Sequence, residues 1–328
     1  MSGRYAGRTA LVTGAQGFVG SWLTERLLDE GATVVALRRD VPALSRFKLA
    51  GLEERCDVVQ GDLDSYESLL RVINEHGVGL VFHLAAQTIV GTANRSPLST
   101  FNTNVRGTYT LLEACRAAGV VGDPVEAVVV ASSDKAYGEH DELPYREDFA
   151  LKPRYPYDVS KACADLIARS YAHSFGLPVA VTRLANVYGG GDFNFSRVVP
   201  DTIRSLIHGK RPVIRSDGSP ERDYLYVEDA VDVYLTVADS LANEALWGRA
   251  WNAGNGEPIA VRDVVARLIK AAGSELEPEI KGKGTPPGEI DRQWLDSTAI
   301  RDELGWEPKW DLDRGLAETH RWYVEQLG

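Results

Sequence analysis

Tyr157 and Lys161 stand four residues apart in the segment Tyr157-Asp158-Val159-Ser160-Lys161, and Ser132-Ser133-Asp134-Lys135-Ala136-Tyr137-Gly138 lies ahead of it. Residues four apart on a helix share a face about one turn apart. The Lys161 ammonium can therefore hold the Tyr157 phenol in a state that loses its proton near neutral pH. Ser133, arriving from the end of a strand, is placed to hydrogen-bond the same substrate oxygen. The three together suit redox chemistry at a hydroxyl. Asp134 and Lys135 are surplus to that step and point to a further acid/base step on the same substrate.

The elements that must position these residues are readable as alternating strands and helices. Arg8 to Thr13 reads as a buried strand, Ser21 to Glu30 as a helix stopped at Gly31, and Ala32 to Leu37 as the next strand. Cys56 to Gln60, Leu80 to His83, Val125 to Ala131 and Val179 to Leu184 are further short apolar runs. Helical stretches such as Leu98 to Ala118 and Tyr157 to Phe175 separate them. This alternation predicts an α/β fold with a doubly wound parallel Rossmann sheet. Beyond about residue 186 the pattern becomes loop-rich, at Gly189-Gly190-Gly191-Asp192, Asp217-Gly218-Ser219-Pro220 and Lys281 to Gly288. We therefore expect a dinucleotide-binding domain over 1–185, with a return of the chain at about 225–255, and a smaller, mainly substrate-binding C-terminal lobe over 186–328. Tyr226 to Leu241 is the helix expected to make that return.

With 328 residues, 44% of them hydrophobic and 25% charged, the chain has the composition of a globular α/β protein. A net charge of -11 argues against a nucleic-acid partner. Cys56, Cys115 and Cys163 are odd in number and widely spaced, which is neither a disulfide framework nor a metal pattern. Buried, reduced thiols and no metal site are expected. Met1-Ser2-Gly3-Arg4-Tyr5 leads into a strand without an apolar signal core, and no later run is long enough to span a bilayer. A cytoplasmic protein with no membrane association is the expectation.

Gly14-Ala15-Gln16-Gly17-Phe18-Val19-Gly20 places three glycines three apart, after one strand and opening one helix. That context lets backbone approach a pyrophosphate and aims helix N-terminal amides at it. Gly14, Gln16, Gly17, Phe18, Val19 and Gly20 are accordingly assigned to a dinucleotide cofactor. At the end of the second strand, where an acidic residue would take ribose hydroxyls, Arg38-Arg39 suits a 2′-phosphate and mildly favours NADP+ over NAD+. Asp62 and Leu63 would contact the adenine, and Leu84, Ala85 and Ala86 would pass beneath the cofactor.

The Gly14-x-x-Gly17-x-x-Gly20 loop is joined by Asp62-Leu63, His83-Leu84-Ala85-Ala86-Gln87 and Asn104-Val105-x-Gly107-Thr108. The Ser133/Tyr157/Lys161 set, Arg183-x-x-Asn186-Val187-Tyr188-Gly189 and Arg222-Asp223-Tyr224-x-Tyr226-Val227-Glu228-Asp229 follow in order. Together they resemble the extended short-chain dehydrogenase/reductase family, from about Arg8 to Leu304-Gly305-Trp306-x-Pro308. More narrowly they resemble its nucleotide-sugar 4,6-dehydratases and 4-epimerases. Hexose 4,6-dehydratases commonly carry Asp-Glu after the Ser or Thr; Asp134-Lys135 instead resembles the Asp-Lys pair of CDP-glucose 4,6-dehydratases, as does Ala85-Ala86-Gln87. Arg38-Arg39 looks more like GDP-mannose 4,6-dehydratases.

The resemblance implies a tightly bound NAD(P)+, with Asn104, Tyr157 and Lys161 among its contacts, and a nucleotide-diphosphate sugar as substrate. Tyr157 would take the sugar O4 proton, Ser133 would bond the developing ketone, and protonated Asp134 would donate to the departing C6 hydroxyl. Lys135 would be the C5 base only if it gives up its proton near neutrality. Otherwise it stays charged, holding Asp134 or polarising the C6 oxygen, while another group or water takes the C5 proton. Arg222 and Arg292 would pair with the diphosphate. Asn186, Gln87, Thr88, Asn194, Val199 and Arg215 complete the expected substrate contacts, and His83 reads as a packed structural histidine. In this family, helices corresponding to Leu98–Ala118 and Tyr157–Phe175 form a dimer interface, so a homodimer is implied. A 4,6-dehydratase is the leading reading and a 4-epimerase its rival; the intact Ser133/Tyr157/Lys161 set argues against a non-catalytic nucleotide-binding regulator.

Overall fold

The structure is a computed structural model and describes residues 3–121, 123–284 and 290–328. Its centre is a seven-stranded sheet. From one edge to the other the strands are Ala250–Ala253, Val179–Leu184, Ala127–Ala131, Leu80–His83, Thr9–Thr13, Thr33–Arg38 and Asp57–Gln60. Every neighbouring pair is parallel. Apolar runs such as Ala-Val-Val-Val-Ala at 127–131 suit this arrangement, because a parallel sheet is covered on both faces.

Alternate side chains feed two cores, as the period of two in a strand requires. Val12, Val34, Phe82 and Val129 point to one side, against Leu23 and Leu27 of helix Phe18–Asp29 and the buried stripe of helix Val227–Ser240. Leu11, Val35, Val81, Val128 and Val130 point to the other. There they meet Leu69 and Val72 of helix Tyr66–Glu75, Leu111, Leu112 and Cys115 of helix Gly107–Val121, and Ala168 and Ala172 of helix Pro156–Phe175.

One of the two long helices expected from the sequence is built from three pieces. The stretch expected as one helix over Leu98–Ala118 is Pro97–Phe101, one π-type turn over Asn102–Arg106, and Gly107–Val121. The helix carrying Tyr157 starts with Pro156 at its first position, where a missing N–H costs nothing, and stops at Gly176, φ 63°.

After Leu184 the chain builds small sheets outside the main one. Asn186–Tyr188 pairs with Tyr224–Tyr226, Glu221–Arg222 lies between Ile259–Ala260 and Arg292–Gln293, and Val213–Ile214 pairs with Glu279–Ile280. Helices Val198–Ile207, Val261–Ala271 and Leu312–Leu327 pack around them. Helix Val227–Ser240 and strand Ala250–Ala253 bring the chain back to the main sheet. Part of the expected loop at 281–288 falls on residues 285–289, outside the described residues. No described helix is long and apolar enough to cross a membrane. No cluster of His, Cys, Asp and Glu suited to a metal occurs among the described residues.

Candidate active site

The sheet order reverses between Thr9–Thr13 and Leu80–His83, and the loops leaving these two strands meet at the mouth of a cleft of about 1000 Å³. Such a switch point, at the carboxyl ends of parallel strands, is where ligands bind in doubly wound sheets. Gly14 sits here at φ 77°, and a Cβ on it would lie 2.8 Å from the Ala85 nitrogen. A Cβ on Gly20 would lie 2.1 Å from the Gly14 carbonyl. The glycines thus make room for backbone itself, and Gly17 opens the helix whose first amides face the cleft. This cradle fits a dinucleotide pyrophosphate. Gln16, Phe18, Val19, Arg38, Arg39, Asp62, Leu63, Leu84, Ala85 and Ala86 line the same cleft.

The floor of the cleft is fixed from behind by a buried polar network. Ala85 N–H donates to Thr13 Oγ1 (3.3 Å), and His83 lies between Thr13 Oγ1 (2.8 Å) and Thr108 Oγ1 (3.0 Å). Thr108 donates its own proton to the Asn104 carbonyl, so His83 Nε2 carries the hydrogen and Nδ1 accepts from Thr13. Burial, and then the Lys161 charge, push His83 down to about 3, which keeps it neutral. Asn104 does not reach the cleft lining. Its amide clamps the Gln87 backbone from both sides (2.7 and 3.1 Å) and donates to Ser160 Oγ (2.8 Å), which donates to the Tyr157 carbonyl (2.6 Å). It therefore ties the floor to the helix bearing Tyr157.

That helix brings Tyr157, Asp158 and Lys161 to the cleft with Ser133, Asp134 and Lys135, which stand in a short turn after strand Ala127–Ala131. Lys161 Nζ donates to the Ala131 carbonyl at 2.8 Å, and burial lowers this lysine to about 8. Burial raises the Tyr157 phenol, against the expectation of a proton lost near neutral pH, with the Asp134 and Asp158 carboxylates adding to the shift and Ser133 opposing it. Ser133 Oγ accepts from Lys135 N–H (3.2 Å) and donates to Asp134 Oδ1 (3.0 Å). Asp134 is 2% exposed, and its Oδ2 is buried with no hydrogen-bond partner. Burial pushes this carboxyl upward against the pull of Lys135, Ser133 and Arg222, which favours the protonated form.

On the lobe side, Thr88, Asn186, Asn194, Val199, Arg215 and Arg222 line the cleft. Asn186 Nδ2 is buried without a hydrogen-bond partner. Arg222 is buried and donates to the Glu221 and Asp291 carbonyls (2.8 and 2.9 Å). Arg215 is held by Asp201 (2.7 Å) and the Ser196 carbonyl (3.2 Å). Two expected contacts stand apart. Arg292 pairs with Glu221 (2.8 Å), over the ring of Trp294, outside the lining; Gln87 presents its backbone to Asn104 and its side-chain oxygen to Ile89 N–H (2.6 Å). Lining residues that the sequence reading did not single out include Asp158, Asp192 and Arg197, whose guanidinium spans Asp192 (2.6 Å) and the Val187 carbonyl (2.6 Å). The three cysteines are free, and only Cys115 is fully buried; Cys56 and Cys163 are partly exposed, against the expectation of three buried thiols.

A Rossmann sheet, a glycine cradle and a Ser-Tyr-Lys set beneath a second lobe define an enzyme of the nucleotide-sugar dehydratase and epimerase group. Residues 11–319 match the family model described as GDP-mannose 4,6 dehydratase, and the chain belongs to that family. It is 32% identical to CDP-glucose 4,6-dehydratase of Salmonella typhimurium, over 97% of this chain and 91% of that protein. Among solved structures it is similar to a dTDP-glucose 4,6-dehydratase of Streptomyces venezuelae with NAD and TYD bound, at 30% identity, TM-score 0.85 and 97% of both chains. It is also similar in fold to UDP-glucose 4-epimerase of Thermotoga maritima, at 28% identity, TM-score 0.87, and 98% and 100% of the two chains. The cofactor is a nicotinamide dinucleotide.

Proposed function

We propose that the protein is an NDP-hexose 4,6-dehydratase that converts its substrate to the 4-keto-6-deoxy sugar. The observation that carries this reading is Asp134: a carboxyl 2% exposed, raised by burial, with one oxygen unpartnered in the cleft beside Ser133 and Tyr157. A 4-epimerase moves a hydride and rotates a ketone, and needs no such acid; expelling a hydroxyl as water does.

Tyr157 accepts the O4 proton, with Lys161 stabilising the phenolate, and the Ser133 hydroxyl bonds the oxygen that becomes a ketone. A nicotinamide held by the Gly14–Gly20 cradle would supply the hydride exchange at C4 and C6 and a positive ring that favours the phenolate. The C4 ketone acidifies C5–H, and Asp134 gives its proton to the leaving C6 oxygen. Arg222 and Arg215 suit the diphosphate, and the Asn186 amide is a donor for substrate oxygens. The 1–185 region acts as the cofactor domain, and the lobe beyond it as the nucleotide-sugar domain.

Arg38 and Arg39 support NADP+, with Glu53 and Asp40 as the carboxylates that a 2′-phosphate displaces, each at 2.6 Å. Leu98, Tyr109 and Leu166 are exposed apolar side chains on the two helical regions that would meet in a homodimer. A monomer by light scattering at micromolar concentration rejects that assembly. Incubation with CDP-glucose, dTDP-glucose, UDP-glucose and GDP-mannose tests the reaction: a product with a C6 methyl and a C4 ketone supports it, and a C4 epimer that has kept its water rejects it.

A further inference from the structure

In the dehydratase reading, on which the following rests, one group is missing. Asp134 supplies a proton to the leaving hydroxyl, and something must take the C5 proton. Lys135 lines the cleft next to Asp134, and a carboxylate in the same cleft would offer a base of a different kind.

The structure supplies a carboxylate from another direction. Asp158 follows Tyr157 on the helix, so Tyr157, Asp158 and Lys161 occupy one side of its first turns, and all three line the cleft. The residue is 4% exposed, and its carboxylate takes part in no hydrogen bond or ion pair among the described residues. An acid in a helix's first turn is ordinarily read as a partner for free amides. Here it makes no such bond, and an unpartnered buried carboxylate is costly unless a ligand uses it.

The groups that face it are Tyr157 on its own helix, Asp134 and Lys135 on the turn after Ser133, and Tyr145 on the following loop. Burial pushes the Asp158 carboxyl up to about 6, with Lys135 pulling down and Asp134 pushing up. It is therefore ionised at neutral pH, yet far more basic than an exposed aspartate. Two carboxyls in one cleft divide into an acid and a base in this way when their surroundings differ.

We propose that Asp158 is the base that takes the C5 proton, with Lys135 beside the two carboxyls in the same cleft. The step balances. The C5–H bond breaks and its proton goes to Asp158; the electron pair forms C5=C6, conjugated with the C4 ketone. The C6–O bond breaks and its oxygen leaves as water with the proton from Asp134. When hydride returns to C6, the proton on Asp158 goes back to C5. Tyr157 ends the cycle with the O4 proton and Asp134 without its own, and solvent restores both.

The holoenzyme is tested with whichever of CDP-glucose, dTDP-glucose, UDP-glucose or GDP-mannose the wild type converts, in deuterated water. The wild type incorporates deuterium at C5 of the product. Asp158→Asn still shows transient cofactor reduction but loses water release, and with it C5 labelling, by about 100-fold or more. Asp158→Ser, a smaller polar replacement, gives the same pattern and serves where the amide disturbs folding. Lys135→Met is slower but still labels C5. Without nucleotide-sugar, carboxyl carbon-13 titration of the wild type shows a midpoint near 6 that Asp158→Asn lacks. Water release by both Asp158 variants within about threefold of wild type, with C5 labelled, overturns the base assignment and leaves the dehydratase reading intact. A C4 epimer from the wild type overturns that reading and the base with it.

Discussion

Ser133 donates its hydroxyl proton to Asp134 Oδ1 at 3.0 Å, while Oδ2 of the same carboxyl is buried with no partner at all. One oxygen is held and the other is left for substrate. In the proposed mechanism the serine that would bond the future ketone thereby also orients the acid that would expel the hydroxyl two carbons away. Asp134→Asn keeps the bond to Ser133 but cannot donate an acidic proton. Transient cofactor reduction should survive, and water release should fall by about 100-fold to 10,000-fold. A wild-type rate of dehydration in Asp134→Asn would remove the acid from the account.

Tyr157→Phe should abolish the earlier step instead. Without the phenol no base accepts the O4 proton, so both cofactor reduction and product should fall by about 1,000-fold. Stopped-flow absorbance of the nicotinamide separates the two variants: Asp134→Asn reduces its cofactor and Tyr157→Phe does not. Retained reduction in Tyr157→Phe contradicts the assignment.

The pH profile follows from two buried groups. Asp158, near 6, must be ionised, so kcat/KM rises through that region from the acid side. Lys161, near 8, must carry its charge to hold the phenolate, so the rate falls as pH passes that value. In Asp158→Asn the acid limb near 6 disappears from the residual rate. A limb that persists unchanged belongs to another group.

Stability has its own test beneath the site. Arg183 is 1% exposed and its guanidinium forks onto Asp165 at 2.8 and 2.9 Å, with Tyr137 Oη at 2.7 Å. Asp165→Asn leaves that cation without its counter-charge and should cost about 3–5 kcal/mol, because a buried charge is left uncompensated. The urea midpoint measures it, and a loss below about 1 kcal/mol shows that the pair relaxes freely.

Cofactor preference is separable from catalysis. Replacing Arg38 and Arg39 together by alanine should weaken NADP+ binding by about 10-fold to 100-fold, since each charge-assisted contact to phosphate contributes more than a neutral one. NAD+ affinity should change little. Fluorescence titration of both nucleotides decides it, and equal losses for the two refute a 2′-phosphate contact.

Much of this molecule could be read from its residues, and the parts that could not share one cause. Strands Leu80–His83 and Val179–Leu184 fall on the residues that apolar runs indicate, because a parallel strand covered on both faces writes itself as an unbroken apolar string. The glycine cradle was readable because only glycine fits against backbone at Gly14 and Gly20. The role of Asn104 was not. Its side chain spans from the Gln87 backbone to Ser160 across 17 and 56 residues of sequence, and the π-type turn that carries it has no local signal. Arg292 has the chemistry of a phosphate ligand, but Glu221, its strand neighbour, holds it outside the cleft. Asp158 escaped notice because an acid in a helix's first turn is commonplace, and only the folded chain shows that it caps nothing.

The central claim is loss of water from a nucleotide-hexose, and one spectrum tests it. Proton NMR of the wild-type enzyme with its sugar nucleotide, followed to completion, should show the C6 methylene signals replaced by a methyl and the C4 proton gone. A product that keeps its C6 hydroxymethyl and shows only an inverted C4 proton contradicts the account.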